Sequence, residues 1–467
     1  MSVNRRQFLK VAGVGALGLA MPGLARSAGA GEKRPNILYV FTDQQFAEAL
    51  SGAGNQWVKT PAMDSLAANG MRFGRAYCTH PFCSPSRASM LTGLMPHEHG
   101  VVTNGMAIRQ DAQRRQMGWI FRDAGYECAY AGKGHLPAYG RLDNTHGFDV
   151  LCNIDESAVT DKCVEFLRAK RDKPFLLVAS YHQPHDICSL VHGDEPTKEK
   201  SYRGKPSVPL EEFTKSCPPL PANFDPPSPV PGVADRFSTG KWSHDTWRRY
   251  LYGYYRMIEE VDGRIGQVLK ALRDAGLEDN TLVVFSSDHG DGLGAHHASG
   301  KECFYEEAMR IPVIVSFKGR TRPGAADEMH LVSNGLDLLP TLCDYAGVAP
   351  PPGLRGLCLR PLAEGRDVPA WRDQVIAVCR RGSGQMVRTA RYKYAAYGAE
   401  GGEQLFDLQR DPGEVRNLVE DPASKPVLEE HRKRLADWRR ETGFDKAATS
   451  GPGARRPGKA SRPVPPA

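Results

Sequence analysis

The chain of 467 residues lacks the marks of several large protein classes. None of its eleven cysteines is spaced Cys-x-x-Cys from another, so neither a zinc ribbon nor a thioredoxin-like redox site is supported. No internal repeat is evident, which argues against a solenoid or a propeller. The apolar stretch from Val11 to Met21 is too short and too rich in glycine to span a membrane. What remains, 40% hydrophobic and 25% charged residues, is typical of a soluble globular protein.

The body of the chain also has almost no net charge. The formal net charge is +7, but the first 30 residues carry +4 and the tail from Asp445 carries another +4, which leaves the body at −1. A near-neutral body gives no support to a polyanion-binding surface, and we expect no nucleic-acid partner. The tail over residues 445–467 is rich in Pro, Gly, Ala and Arg and has little to bury, which predicts disorder.

The N-terminus predicts export. Asn4-Arg5-Arg6-Gln7-Phe8-Leu9-Lys10 precedes the apolar stretch, and Ala28-Gly29-Ala30 offers a small-residue cleavage site. This arrangement predicts a twin-arginine signal over residues 1–30, with a buried N-terminal helix as the alternative. The mature protein is then periplasmic or otherwise exported. Export would permit disulfides, whereas folding in the reducing cytoplasm would leave several cysteines as buried thiols.

Short apolar runs recur along the body, and each is followed by polar residues. They span residues 36–42, 127–131, 175–181, 281–287 and 311–317. Unbroken apolar strands are typical of a parallel sheet that is buried on both faces. From Tyr250 onward apolar residues recur at spacings of three and four, which predicts an amphipathic helix ending near Gly276. Strands that alternate with helices predict a doubly wound α/β sandwich.

The polar residues after these strands form candidate sites. Ligands bind at the carboxyl ends of the strands in open α/β sheets, so we expect these clusters to converge on one edge. The clusters are Asp43-Gln44, Lys133 with His135, His182 with His185, and Asp288-His289. A single Asp after a strand is often only a helix cap.

Asp43, Gln44, Asp288 and His289 together predict a metal site. They offer two carboxylates, an amide oxygen and an imidazole. Oxygen-rich ligation favours Ca²⁺ or Mg²⁺, and the imidazole leaves Mn²⁺ as an alternative.

One further segment points to a particular chemistry. Residues 83 to 93 read Cys-Ser-Pro-Ser-Arg-Ala-Ser-Met-Leu-Thr-Gly. A cysteine two residues before a proline and four before an arginine, followed by Thr-Gly, resembles the signature of the formylglycine-dependent sulfatases. Pro85 predicts a helix start, which places Cys83 where free amides favour anions and Arg87 one turn later.

The resemblance extends in order from about residue 34 to 420. Gly-Lys133-x-His135-Leu, Pro184-His185 and Lys301 before Tyr-Glu match segments of the family, and Arg388–Tyr394 and Leu405–Leu418 match its small C-terminal subdomain. It implies an alkaline-phosphatase-like α/β sandwich over residues 31–370, with a large mixed, mostly parallel sheet flanked by helices. A small α+β subdomain over residues 371–444 follows.

The same resemblance implies the chemistry of a sulfuric ester hydrolase. A formylglycine-generating enzyme would oxidise Cys83 to formylglycine, whose hydrate attacks sulfur beside a Ca²⁺ that it also binds. Arg87, Lys133, His135, His185 and Lys301 would then serve as the catalytic residues. Tyr181-His-Gln-Pro-His-Asp loosely resembles a segment of heparan N-sulfatases and iduronate-2-sulfatases, so a sulfated glycan is the first expectation for the substrate.

Gln44 departs from the family pattern, in which a second Asp is usual. The change removes one negative charge from the metal ligands, and related phosphonate and phosphate-ester hydrolases also carry Asp-Gln. A phosphonate monoester or phosphodiester hydrolase is therefore an alternative, as is a silent glycan-binding protein with an unmodified Cys83. Residues 186–240, rich in Pro, Lys and Ser, predict a substrate-side lid, and His182, His296 and His297 are weaker substrate-side candidates.

Overall fold

The computed structural model describes residues 33–140, 145–154, 156–188, 215–225, 242–398 and 402–445. The export signal predicted for residues 1–30, the tail from residue 446 and most of the lid predicted at 186–240 lie outside the described residues.

A large mixed sheet forms the centre of the fold. The strands of the described residues are β1 (Asn36–Asp43), β2 (Met71–Phe73), β3 (Ala76–Tyr77), β4 (Glu127–Gly132), β5 (Asp149–Cys152), β6 (Phe175–Pro184), β7 (Thr281–Ser287), β8 (Val313–Ser316), β9 (Ala325–Asp327), β10 (Val332–Ser333), β11 (Gln374–Cys379), β12 (Gly384–Thr389), β13 (Tyr392–Ala396) and β14 (Glu403–Asp407). Eight of them form one sheet in the order β5-β4-β6-β1-β7-β8-β2-β9. Its strands pair in parallel, except that β8 runs antiparallel to both β7 and β2.

Helices cover both faces of this sheet. They are α1 (Pro61–Ala68), α2 (Cys83–Thr92), α3 (Pro96–His99), α4 (Met117–Asp123), α5 (Glu156–Arg168), α6 (His244–Asp274), α7 (Glu306–Met309), α8 (Asn334–Ala346), α9 (Arg360–Ala363) and α10 (Lys425–Thr442). In β1, Tyr39 and Phe41 pack into a core with α2, α4 and α8. Leu38 and Val40 point to the other face, into a core with α1, α5 and α6. Because both faces are buried, every residue of β1 is buried, as the unbroken apolar run predicted.

A smaller antiparallel sheet follows, in the order β11-β12-β13-β14. Its outer helix α10 packs Leu428, Leu435 and Trp438 against β12 and β13. Lys393 of β13 ties this unit to the main body, since its buried Nζ donates to Phe304 O at 2.7 Å and to Glu306 Oε1 at 2.9 Å.

The fold class inferred from the sequence is confirmed, and the structure adds the direction and extent of individual strands and helices. The last apolar run forms the antiparallel β8, and β6 continues to Pro184, so that His182 lies inside the strand. Helix α6 begins before the apolar pattern at His244, where the Ser243 hydroxyl accepts the Thr246 amide at 3.2 Å. None of the eleven cysteines forms a disulfide, and all lie within the described residues. The domain boundaries at residues 30, 370 and 444 stay predictions. Within the described ranges, no helix has the length and apolar character that crossing a membrane requires.

Candidate active site

Cys83 lies where the carboxyl ends of the central strands meet the start of α2. Its side chain is completely buried. The Sγ atom is 3.2 Å from His289 Nε2, 3.2 Å from Lys301 Nζ and 3.6 Å from Asp43 Oδ1. Asp43 ends β1 and His289 follows β7, and these strands are neighbours in the sheet. Two of the four strand-end clusters, Asp43-Gln44 and Asp288-His289, therefore meet at Cys83.

Helix α2 is anchored at this position by its own first turn. Phe82 before it is extended, and Pro85 in the first turn has no amide that would need a partner. The Ser86 hydroxyl donates to Asp288 O at 2.5 Å, which ties the helix to the segment after β7. All ten residues of α2 are buried, so the cysteine is held on a rigid element.

Arg87 joins the two carboxylates. Its Nη2 donates to Asp43 Oδ2 and its Nε donates to Asp288 Oδ2, both at 2.7 Å. Its Nη1 donates to the Ser180 hydroxyl at 2.8 Å and to Lys133 O. Although burial opposes a charged guanidinium, Asp288 and Asp43 raise the pKa of Arg87. The arginine thus stays charged and fixes both carboxylates.

The groups around Cys83 fit a hard metal ion. Arg87 occupies Oδ2 of Asp43 and of Asp288, while Oδ1 of each lies 4.0 Å and 3.6 Å from His289 Nε2. His289 Nδ1 donates to Gly290 O at 2.8 Å, so the Nε2 lone pair of the neutral ring can bind a cation. Without a cation, burial opposes protonation of His289, but Asp288 outweighs it and raises the pKa of His289, so the protonated ring adds a positive charge beside Cys83. Ligand atoms of Asp43, Cys83, Asp288 and His289 all lie within 4.8 Å of one another. The structure thus brings together Asp43, Asp288 and His289 of the predicted donor set with Cys83.

Gln44 adjoins this cluster with a left-handed backbone. Its φ is 76°, a conformation that costs a non-glycine residue of order 1 kcal/mol and that concentrates at functional sites. The conformation is held by its amide, which donates to Asp288 Oδ1 at 3.0 Å, and by its carbonyl, which accepts from Tyr254 OH at 2.7 Å. The side-chain Oε1 accepts from Lys301 Nζ at 2.6 Å.

Two lysines make the site electropositive. Lys133 Nζ forms an ion pair with Asp43 Oδ2 at 2.7 Å, and Lys301 contacts both Cys83 and Gln44. Burial and Asp43 oppose ionisation of the Cys83 thiol. Lys301, Lys133 and His289 outweigh them, so the pKa of the thiol lies well below its ordinary value. The position therefore favours an anionic oxygen or sulfur.

The histidines lie at different depths. Burial lowers the pKa of His185 to about 4 against the opposing effects of Asp43 and Cys83. The ring of His182 lies 4.6 Å from that of His185. The side chain of His135 is exposed on the wall of an adjoining cleft. This cleft has a volume of about 550 Å³ and is lined by Lys133, His135, Leu136, Ile154, His182 and His185, among others.

His296 and His297 have partners of another kind. His296 stacks on Tyr305 at 3.7 Å between ring centroids and accepts from Asn223 Nδ2 at 3.4 Å. His297 stacks on Phe224 at 4.1 Å and pairs with Asp225. A substrate-side role for either histidine stays a prediction.

Comparison with known proteins assigns the chain. Residues 35–348 match the Sulfatase family, and residues 294–441 match the C-terminal region of N-sulphoglucosamine sulphohydrolase. The chain belongs to the sulfatase family. It is a sulfuric ester hydrolase, as its sequence motifs predicted.

This sulfatase has well-matched relatives along most of its length. It is 31% identical to a Delta 4,5-hexuronate-2-O-sulfatase of Bacteroides thetaiotaomicron, covering 90% of the chain and 92% of the relative. A solved 2-O GAG sulfatase superposes with a TM-score of 0.78 at 28% identity, over 89% of this chain and 94% of the other. A phosphonate monoester hydrolase of Agrobacterium radiobacter superposes with a TM-score of 0.72 at 23% identity, over 87% and 96% of the two chains. The last likeness concerns the fold alone.

Several residues around the site of this sulfatase were not found from the sequence. They include Ser180, which contacts Arg87, and Asp291 with its partner Tyr250. Ser180 lies within an apolar strand and Tyr250 on a helix 41 residues before Asp291 in the chain, so neither stands out by spacing. Asp291 carried a signal, because it follows Asp288-His289-Gly290 directly.

Glu156 supports the segment that carries His185, and it makes the stability of the sulfatase depend on pH. Its Oε1 accepts the amides of His182 and Gln183, the latter at 3.0 Å. Burial raises the pKa of Glu156 from 4.5 to about 7 against these hydrogen bonds. The folded state thus holds this proton more tightly than the unfolded state, and stability is lost as pH rises from 4.5 to 7, by roughly 3 kcal/mol.

The variant Glu156→Gln removes that titration. We expect the free energy of unfolding of the variant minus that of the native chain to rise by roughly 3 kcal/mol between pH 4.5 and pH 8. Urea unfolding at four pH values measures the difference, and using the difference cancels the titration of Asp262 and Glu414. A flat difference would show that Glu156 ionises in the fold as it does in water.

Proposed function

We propose that this sulfatase removes sulfate from a sulfated carbohydrate through a formylglycine formed at position 83. The observation that carries the proposal is the placement of Cys83 at the start of a buried helix, in contact with His289, Lys301 and Asp43. A hydrated aldehyde at this position would have metal-ligand groups on one side and cations on the other. That is the environment in which a hydroxyl can be deprotonated and a sulfate bound.

The carbohydrate part of the proposal is supported by the cleft and by the relatives. The cleft adjoins Lys133 and His185 and mixes polar histidines with the apolar Leu136 and Ile154, a lining that suits the two faces of a sugar ring. Relatives at 30% identity or more include a hexuronate sulfatase and an ulvan-active sulfatase of Formosa agariphila.

Asp43, Gln44, Asp288 and His289 would hold the metal, for which Ca²⁺ fits the hard oxygen donors best and Mn²⁺ or Mg²⁺ are alternatives. When bound, the ion supplies positive charge that lowers the pKa of a nearby hydroxyl and neutralises sulfate oxygens. Arg87 keeps the two carboxylates in place, as its two 2.7 Å contacts indicate.

The proposed reaction has two steps, transfer of the sulfate group to position 83 and its release. One hydroxyl of the hydrate at position 83, whose pKa the surrounding positive charges would lower, gives its proton to water. Its oxygen attacks sulfur, and the bond between sulfur and the leaving oxygen breaks. Lys133 and Lys301 neutralise the nonbridging oxygens. The negative charge of a bound sulfate ester would raise the pKa of His185 from its low value without substrate, and His185, with Lys301, then donates a proton to the leaving alcohol. His135 then helps to remove the proton of the second hydroxyl, sulfate leaves, and the aldehyde re-forms and takes up water.

Substitutions of His135 and His185 are expected to slow different steps of the reaction. Replacing His135 by alanine should trap sulfated enzyme, because expulsion of sulfate needs the second deprotonation. Replacing His185 by alanine should slow formation of that species, since the leaving alcohol is no longer protonated. Rapid-quench measurements with an aryl sulfate test this assignment. A burst of product in the His185 variant and none in the His135 variant would reverse the roles.

A screen of purified protein against sulfated mono- and oligosaccharides tests the activity itself. The mass of the peptide that contains Cys83 is measured on the same preparation, because conversion of the thiol to the aldehyde removes about 18 Da. Desulfation by protein that carries the aldehyde supports the proposal. Equal turnover by protein with an intact thiol would refute the nucleophile, and no turnover despite full conversion would refute the substrate class.

Gln44 supports one second candidate, a phosphonate monoester hydrolase with the same nucleophile. The support is the pattern of residues, since related phosphonate and phosphate-ester hydrolases also carry Asp-Gln here. The loss of one negative charge would ease the approach of a sulfate ester and of a phosphonate monoester alike, because both are monoanions. Turnover of an aryl sulfate and an aryl phosphonate by the same preparation decides between them. A higher kcat/KM for the phosphonate would make phosphorus the preferred atom.

We further propose that the protein is exported folded by the twin-arginine route after a formylglycine-generating enzyme has acted on Cys83. Arg5 and Arg6 in the N-terminal segment support this order. Replacing both by lysine should leave mature-length protein absent from the periplasmic fraction. Unchanged export of that variant would remove the twin-arginine assignment.

A further inference from the structure

Beyond the predicted metal ligands, a buried acidic group contacts Gln44. Asp291 Oδ2 accepts from Gln44 Nε2 at 2.5 Å. Tyr250 OH from α6 lies 2.8 Å from both carboxylate oxygens, and the Leu293 amide donates to Oδ1 at 2.8 Å. Gln44 and Asp291 are completely buried and Tyr250 is nearly so. The carboxylate is therefore a fixed part of the interior.

These contacts allow the Gln44 amide only one orientation. A carboxylate only accepts hydrogen bonds and an ammonium only donates them. Asp291 on one side therefore demands the amide NH₂, and Lys301 on the other side, 2.6 Å from Oε1, demands the amide oxygen. Cys188 Sγ lies 3.3 Å from Nε2 and 3.4 Å from Oε1, and a thiol, which accepts and donates weakly, does not decide between them.

We propose that Asp291, held by Tyr250, is a positioning residue that directs the carbonyl oxygen of Gln44 toward the metal ligands and Lys301. The same contact explains why position 44 does not carry the usual Asp. A carboxylate there would face Asp291 at about the present contact distance, and two buried like charges repel. Gln44 and Asp291 are thus a matched pair. The negative charge that the family usually carries at position 44 is carried here by Asp291, which contacts Gln44.

The proposal rests on the proposed metal site, and its first test measures metal binding rather than turnover. CaCl₂ is titrated calorimetrically into metal-free protein of known Cys83 conversion. Asp291→Asn puts an NH₂ against the Gln44 NH₂, so the glutamine must turn its donor toward the metal ligands. We expect calcium affinity to fall about 10- to 100-fold, the usual cost of removing an outer partner of a metal ligand. Tyr250→Phe should weaken binding in the same direction by a smaller factor.

Matched controls separate positioning from general destabilisation. Asp262 is another buried carboxylate, which accepts the amides of Ala62 and Met63 at 3.0 and 2.9 Å. Asp262→Asn should lower the melting temperature and leave calcium affinity unchanged. Tyr126, whose OH donates to Pro35 O at 3.1 Å, provides the control Tyr126→Phe for Tyr250→Phe. Native calcium affinity in both Asp291→Asn and Tyr250→Phe would overturn the proposal.

A second readout needs no metal. In the metal-free protein, Asp291→Asn should lower the melting temperature of the native chain but raise that of the Gln44→Glu variant, because it removes the repulsion between two carboxylates. This change of sign reports direct contact between the two side chains. The same effect of Asp291→Asn in both backgrounds would refute the pairing. If the native protein binds no divalent ion yet the sign change is present, the metal site fails and the matched pair stands.

Discussion

Replacing Cys83 by alanine abolishes sulfate-ester hydrolysis, with an expected loss in kcat of about 10⁴-fold or more. Alanine cannot be converted to an aldehyde, so the first step has no nucleophile. The cations and the predicted metal ligands around position 83 remain and, on the proposed mechanism, would still bind the sulfate group. We therefore expect the variant to bind a sulfated product or substrate while failing to turn it over. Steady-state kinetics and equilibrium binding on one preparation measure the two effects.

The fold should tolerate this change. Removing one buried sulfur leaves a small cavity, which costs about 1–2 kcal/mol. Cys163 provides the matched control, because it is equally buried but lies on α5, in the core of the opposite face of the sheet. Cys163→Ala should show a comparable loss of stability and full activity. Turnover by Cys83→Ala within tenfold of the native rate would remove position 83 from the chemistry.

The second large effect is expected at Arg87. Arg87→Ala leaves Asp43 and Asp288 buried without their shared cation, and breaking a buried ion pair in this way costs about 3–5 kcal/mol. Urea unfolding measures this loss. The remaining carboxylates repel each other, so the arrangement of their Oδ1 atoms should be lost as well.

Arg87→Lys separates charge from geometry. Lysine keeps the positive charge, but one ammonium cannot occupy the positions of both Nε and Nη2. We expect most of the stability to return while calcium affinity stays about 10- to 100-fold below native. Arg372→Lys is the control, since Arg372 binds Asp337 through two nitrogens, one at 2.8 Å, away from the site. It should lose stability and keep calcium affinity, and native calcium affinity in Arg87→Lys would show that charge alone suffices.

Much of the site could be predicted because its residues follow strands. A strand end is a local signal, and the carboxyl ends of neighbouring parallel strands necessarily meet at one edge. Asp43, Asp288 and His289 were placed together on this ground, and the structure brings them within contact of Cys83. The motif around Cys83 added what periodicity cannot supply, which is the expected chemical identity of the nucleophile.

Other features depend on contacts that are distant in sequence. The strand order, the reversal of β8 and the exposure of His135 follow from packing between elements, to which a local pattern is blind. Asp291 and Tyr250 illustrate the limit. An Asp after a strand and a Tyr on the buried face of a helix are common, and only their 2.8 Å contact distinguishes them.

The sequence by itself thus determined the family, the α/β class and the strand-end residues, and it predicted the nucleophile position, because each is encoded by residues that are close together in the chain. The tertiary structure alone decided how these residues are oriented. It assigned one oxygen of each carboxylate to Arg87 and turned the other toward His289, and it set the Gln44 amide between Asp291 and Lys301. The physical reason is that hydrogen-bond donors and acceptors act over about 3 Å, so orientation exists only once distant segments have packed.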